Sequence, residues 1–201
     1  SVFISGSNSK LLSKEFASEL SGRYVSFRIR PFVYKEIVLY AKELNKEVSP
    51  LNYLIWGGFP KRFDMPNEES IIRYLDDLED TIVIKDLIKR YKIKKSELFK
   101  KVTNFILRSN SRIMSARSIH KYLLGQGIEC SINTILGYMN YLKEAYVIEE
   151  LAQYSTKAKR ELNYNHKLYN SDVSFNSLKV DNKRYDLDHN LENIVYNELL
   201  Y

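Results

Sequence analysis

Two short apolar runs, Val2 to Ile4 and Tyr24 to Ile29, bracket a helical pattern carrying Leu11, Leu12, Phe16 and Leu20. Strand, helix, strand reads as a parallel βαβ unit, because parallel neighbours need a crossover of about a dozen residues or more. Parallel sheets need cover on both faces, and two strands with one helix cannot supply it. This remnant must therefore belong to a larger nucleotide-binding type of fold or pair with another surface. That requirement constrains the chain more than its composition does.

Four motifs occur in a fixed order: Ile4-Ser5-Gly6-Ser7-Asn8-Ser9, Leu20-Ser21-Gly22-Arg23, Arg30-Pro31-Phe32-Val33-Tyr34-Lys35-Glu36, and Gly57-Gly58-Phe59-Pro60. In order and spacing they resemble the bacterial and archaeal AAA-type ATPases that carry a winged helix and a C-terminal nuclease-like domain. The resemblance covers nearly the whole chain. Members of that family open with a Walker A loop and a Walker B acidic strand, and the chain resembles the portion C-terminal to the Walker B strand. Two departures stand out: the family usually has Thr where Ser5 stands, and a Gly-Leu pair near Ser174-Phe175.

The resemblance implies an ATP-binding protein that uses ATP and Mg when intact, with neither expected in this fragment. Hydrolysis needs a phosphate cradle with its Lys, a hydroxyl and an acid for Mg²⁺, and a group that orients water. No G-x-x-x-x-G-K-[ST] occurs in the chain. What the resemblance supplies is the polar tip after the first strand. Ser7 and Asn8 take the sensor-1 role towards the γ-phosphate or attacking water, and Ser5, Ser7 and Asn8 form the nucleotide-contacting set. The plain alternative is a strand-to-helix turn capped by Ser9. Arg23, in a Gly-Arg pair before a strand, is the third catalytic candidate, placed to stabilise transferring charge in its own or a neighbouring subunit. It reads equally as a surface Arg paired with an acid.

The fold class expected is mainly α with small β, in three parts. Residues 1–92 read as the C-terminal part of an AAA-type ATPase domain with a helical lid. Helical faces are Val33, Ile37, Tyr40, Ala41 and Leu44; then Leu51, Leu54 and Ile55 after Ser49-Pro50; then a long helix from Glu68 to Tyr91 with Asp76 to Asp80 facing solvent. Residues 93–172 read as a winged helix. Its first helix uses Leu98, Val102, Phe105 and Ile106, and Ser115 caps the second, which carries Ile119, Tyr122 and Leu123. Ser131 caps the third, with Ile132, Ile135, Leu136, Met139 and Leu142 inward; two β-like runs, Tyr146 to Tyr154 and His166 to Asn170, complete it. Residues 173–201 read as a linker and the first helix of a truncated nuclease-like domain, with Leu191, Ile194, Val195 and Leu199 on one side.

Charge points to a second class of function. The net charge is only +6, but twelve Lys and Arg residues lie between Lys85 and Lys121 against Asp86 and Glu97. Such a cluster can neutralise phosphates, though charge runs are more often solvated helix faces. If the winged helix reads DNA, its third helix offers Asn133, Thr134, Gly137, Asn140, Tyr141 and Lys143, and its wing offers Lys157, Lys159 and Arg160. That helix presents only one cation, Lys143, beside Glu144, which weakens sequence readout. A nucleic-acid-binding module and a protein-interaction adaptor are therefore the competing readings.

The remaining signals bound the answer. No apolar run is long enough to span a bilayer and no signal-peptide pattern is present, so no membrane partner and a cytoplasmic location are expected. The single Cys130 excludes an internal disulfide and reads as a small buried hydrophobe. His120, His166 and His189 show no metal-ligand spacing, so no metal site is expected. Glu192 and Glu198 resemble acidic positions of the nuclease-like fold, or lie on a solvated face. Gly57-Gly58-Phe59-Pro60 and Trp56 read as architecture. A homodimer through the N-terminal strands would cover their edges.

Overall fold

A computed structural model describes residue 6, residue 25 and residues 27–154, 166–178 and 185–201. The described residues form a mainly helical fold with one small three-stranded antiparallel sheet. The expected strand Val2 to Ile4 and the helix after it lie outside them, as does the stretch that carries Lys157, Lys159 and Arg160. Of the expected strand Tyr24 to Ile29, Val25 and Phe27–Ile29 are described, and they join no sheet. Arg28 and Arg30 are drawn to a single carboxylate, Glu149, instead.

Two helices lead. α1 (Tyr34–Glu43) turns Ile37 and Ala41 inward, and the Val33 backbone N–H donates to Glu36 Oε2 at 3.1 Å, which satisfies one of the orphan donors at its start. α2 (Pro50–Trp56) has Pro at its first position, and its cap Ser49 accepts from Asn52 N–H. It stops at Gly57, whose φ of +62° ends the helix. A 3₁₀ turn (Pro60–Asp64) then leads to α3 (Glu68–Leu78), capped by the Asn67 side chain.

The long helix expected from Glu68 to Tyr91 is continuous but not uniform. A π-helical stretch, Glu79–Lys85, separates α3 from α4 (Asp86–Arg90). The apolar positions of α3 arrive as Leu75 and Leu78, while the next inward group is Val83, Ile84 and Leu87. A wider turn absorbs the slip in register that this spacing creates. The same turn corrects the expectation for Asp76 to Asp80: Asp76 and Asp77 are exposed, but Glu79 is 1% exposed.

The remaining elements follow in the order α5 (Ser96–Arg108), β1 (Arg112–Met114), α6 (Ala116–Gly125), α7 (Ile132–Glu144), β2 (Ile148–Leu151), β3 (His166–Asn170), a short α8 (Ser174–Ser177) and α9 (Leu187–Leu199). β3 is central: Ile113 opposes Lys167 on one side and Glu149 opposes Tyr169 on the other. β1 escaped the sequence reading because it is three residues long. The caps did not: Ser115 accepts from Ser118 N–H and Ser131 from Thr134 N–H.

The main core is formed by Val83, Leu87, Phe99, Val102, Ile106, Ile119, Leu123, Ile135, Leu142, Ile148, Leu168 and Phe175, among others. A smaller one holds Ile37, Ala41, Tyr53, Phe63, Val173 and Ile194. Two expectations for α7 change: Leu136 points outward at 45% exposed, and Tyr138 fills the core, packing edge-on against Phe99 at 5.0 Å. Cys130 is half-buried against that core rather than fully enclosed, and burial raises its thiol pKa.

Candidate functional site

The Arg-Pro-Phe and Gly-Gly-Phe-Pro motifs meet at a junction between the two cores. Phe32 N–H donates to Gly58 O at 3.0 Å, and Tyr53 OH donates to Phe32 O at 2.8 Å. Gly58 N–H in turn donates to Asp172 Oδ2 at 2.7 Å, while Ser174 N–H donates to Asp172 Oδ1 at 2.9 Å. Both glycines are required by space. A Cβ on Gly57 would lie 1.8 Å from Asp172 Oδ1, and one on Gly58 would lie 1.9 Å from Phe32 O.

Electrostatics here are dominated by burial. Asp172 is 3% exposed, and burial raises its pKa despite the two backbone donors, the Ser174 contact and the positive field of Arg62. Arg62 is equally buried; desolvation lowers its pKa to about 10, while Asp172 acts to raise it. Its Nη1 donates to Asn52 Oδ1 at 2.8 Å and its guanidinium lies 4.5 Å from the centre of the Phe63 ring. The phenol of Tyr53 is pushed up, first by burial and then by Asp172.

A second carboxylate gathers the segment that precedes α1. Glu149 on β2 accepts from Arg28 at 2.7 Å and from Arg30 at 2.5 Å, and the Arg28 guanidinium lies 4.1 Å from the centre of the Tyr146 ring. Beside this group opens a cleft of about 170 Å³, floored by Phe59, Leu78, Val83, Val147 and Phe175. α9 closes the junction: Glu198 Oε1 accepts from Tyr34 N–H at 2.7 Å, so it serves the start of α1 instead of facing solvent. Glu192 accepts from Lys167 at 2.6 Å and from Tyr169 OH at 2.8 Å. Burial works to raise the Glu192 pKa, but those two bonds win and hold it below the usual range.

Ser5, Ser7, Asn8 and Arg23 lie outside the described residues, so no geometry bears on the nucleotide-contacting set. Lys157, Lys159 and Arg160 lie outside them too. On α7, Asn133 and Asn140 are exposed, and the Thr134 hydroxyl sits 2.9 Å from that of Ser131 at the cap. Lys143 is held by Glu150 at 2.6 Å, and Tyr141 stacks on Tyr91 with ring centres 3.7 Å apart. Both side chains are therefore committed to the protein's own contacts. The asparagines alone remain on an open face.

Chemically, the junction positions rather than reacts: its acids are occupied by backbone donors and arginines. Among the described residues there is no group of three or more His, Cys, Asp or Glu that could hold a metal ion. The sequence reading missed Asp172 and Glu149. A single acid carries no periodicity, and the paired glycines, expected only as architecture, turn out to leave room for the carboxylate of Asp172.

The family described as "Domain of unknown function (DUF8612)" matches residues 49–184, and the family described as "AAA domain" matches residues 1–38. An uncharacterized protein of Haemophilus influenzae is 32% identical over 206 residues, covering 99% of this chain and 50% of that protein. An uncharacterized protein of Methanocaldococcus jannaschii is 30% identical over 210 residues, covering 98% of this chain and 46% of its own length. The chain thus spans about half the length of the curated relatives it matches. No solved structure matches it.

Proposed function

The chain belongs to the DUF8612 family, and from that premise we propose that it is a section of an AAA-type ATP-binding protein. Residues 1–92 supply the end of the ATPase domain and a helical lid, residues 93–172 a winged helix, and residues 173–201 a linker and the first helix of a nuclease-like domain. The observation that carries the reading is the AAA-domain match over residues 1–38, the stretch that holds Ser5, Ser7, Asn8 and Arg23. In this reading Ser7 and Asn8 face the γ-phosphate, Arg23 stabilises transferring charge, and ATP and Mg are held by the intact protein. The winged-helix assignment draws on the order α5, β1, α6, α7, β2, β3 with β3 central.

The lid reading draws on one contact. The segment from Phe27 to Pro31, within the AAA-matched stretch, leads into α1 and is tied to β2 by the pairing of Arg28 and Arg30 with Glu149. Recognition of DNA by α7 is the less supported alternative, because Lys143 is taken by Glu150 and Tyr141 by Tyr91. Any binding there would run through Lys157, Lys159 and Arg160 to phosphates, with weak sequence preference.

Nucleotide binding tests the proposal. The 201-residue chain, lacking a phosphate-cradling motif, is expected to neither bind a fluorescent ATP analogue at micromolar concentration nor turn over ATP with Mg²⁺. The full-length Haemophilus influenzae relative is expected to do both, and to lose turnover when the residues equivalent to Ser7 and Asn8 become Ala. A relative that neither binds nor hydrolyses ATP overturns the reading.

A further inference from the structure

The basic run between Lys85 and Lys121 is not one solvated face. Several of its members are spoken for: Lys85 pairs with Asp80, Arg90 with Asp86, and Arg112 with Asp186. Four others, Lys101 and Arg108 on α5 and Arg117 and Lys121 on α6, are exposed and make no ion pair with any described residue. Where α5 and α6 meet, Phe105 stacks on Tyr122 with ring centres 4.3 Å apart and planes 27° from parallel. Tyr122 is 49% exposed, so the pair presents an aromatic face at the surface instead of sealing the core. Lys101 and Arg108 lie four before and three after Phe105, which puts all three on one side of α5. Lys121 adjoins Tyr122, and Arg117 is one turn before Lys121. The acid at this end of α5, Glu97, is turned to Lys100 at 3.9 Å.

We propose that this surface is a binding site for single-stranded nucleic acid, in which a base stacks on the Phe105–Tyr122 pair and Lys101, Arg108, Arg117 and Lys121 take the flanking phosphates. Every base has a π face, and unpaired cations on both sides of an aromatic platform match the alternation of base and phosphate along a strand. An anionic membrane would use the charges but gain nothing from a stacked platform. Duplex DNA would hide its bases from one. The site lies on the first two helices of the α5–α7 unit, distinct from the α7 face and the nucleotide-contacting residues. It stands whether or not the ATPase reading does.

The test is a fluorescence-anisotropy titration of the 201-residue chain with labelled oligothymidylate, with a duplex of equal length, and with phosphatidylserine vesicles. Single strands are expected to bind more tightly than duplex, and more tightly than vesicles. Y122A is expected to weaken single-strand binding about 10-fold while Y122W retains it, since stacking on one base is worth about 1–3 kcal/mol. K101A/R108A/K121A is expected to flatten the log–log salt dependence by about 2, at roughly 0.7 per phosphate. K42A, an exposed charge on α1, is expected to change nothing, and circular dichroism checks that each variant is folded. No single-strand binding at about 50 mM salt overturns the proposal. So do equal affinities for duplex or vesicles, and so does a folded Y122A that binds as well as the wild type.

Discussion

The Gly58 amide donates to the buried carboxylate of Asp172 at 2.7 Å, across 114 residues of sequence. One acid thereby fastens the turn after α2 to the turn before α8, and the same acid holds Ser174 N–H. Removing it strands two buried backbone donors and leaves Arg62 with less compensating charge. D172A is therefore expected to lose about 2–4 kcal/mol of stability, read from urea unfolding. A loss well under about 1 kcal/mol would show that the two amides find other partners. G58A is expected to be at least as damaging, since its Cβ meets backbone rather than a movable side chain.

The pH dependence of Asp172 runs opposite to that of the half-buried, ion-paired acids Glu150 and Asp186. Burial raises its folded pKa above 3.8, so the native state binds the proton more tightly than the unfolded chain does. Its contribution therefore improves as pH falls from the raised value towards 3.8. Glu150 and Asp186 behave the other way. Burial acts to raise each, but Lys143 and His166 outweigh it at Glu150, and His189 and Arg112 outweigh it at Asp186. Their stabilisation is complete above the ordinary values of 4.5 and 3.8, and is lost as pH falls through the lower folded ones. Wild type is expected to gain on D172N as the buffer moves from neutral to about pH 4, and to lose ground to E150Q below that. Parallel stability–pH curves for wild type and D172N would contradict this assignment.

α9 shows where reading by period fails. The sequence places Leu191, Ile194, Val195 and Leu199 on one side, which suggests a buried apolar face. In the fold, Ile194 is buried, but Leu191, Val195 and Leu199 are 53%, 50% and 81% exposed. The inward residues are asparagines. Asn193 accepts from Asn170 N–H at 2.7 Å and donates to Asn170 O at 2.9 Å, capping the last residue of β3, while Asn190 donates to Leu54 O. Buried backbone groups must be paired, and amides that pair both donor and acceptor outcompete apolar burial at this seam. Hydropathy carries no term for that. By contrast α5, α6 and α7 were largely legible because most of their inward residues are aliphatic, Phe99 and Tyr138 apart, and Ser115 and Ser131 mark the starts of the last two. N193A is expected to cost about 1–2 kcal/mol, since it removes the two shorter bonds to Asn170 and leaves its N–H and C=O only the longer ones to Asn110 at 3.4 Å and Asn197 at 3.3 Å, whereas L191A is expected to shift stability by less than about 0.5 kcal/mol. The reverse ranking in thermal or urea unfolding would restore the apolar reading of this helix.

The segment before α1 carries the last expectation. Arg28 and Arg30 face Glu149, and the alternate residues Val25, Phe27 and Ile29 are exposed, the last two at 84% and 92%. A segment held on one side and bare and apolar on the other, outside any sheet of the described residues, is a candidate for pairing with another chain. Pairing with a second copy of the chain would cover that face and supply hydrogen bonds to its backbone, and a two-fold arrangement does so for both copies at once. The 201-residue chain is therefore expected to sediment as a dimer at micromolar concentration. F27D/I29D is expected to shift it to monomer with the helical content unchanged, because neither side chain supports the described core. A wild-type chain that remains monomeric as its concentration is raised about 100-fold, enough to favour binding by about 2.7 kcal/mol, would rule out this contact.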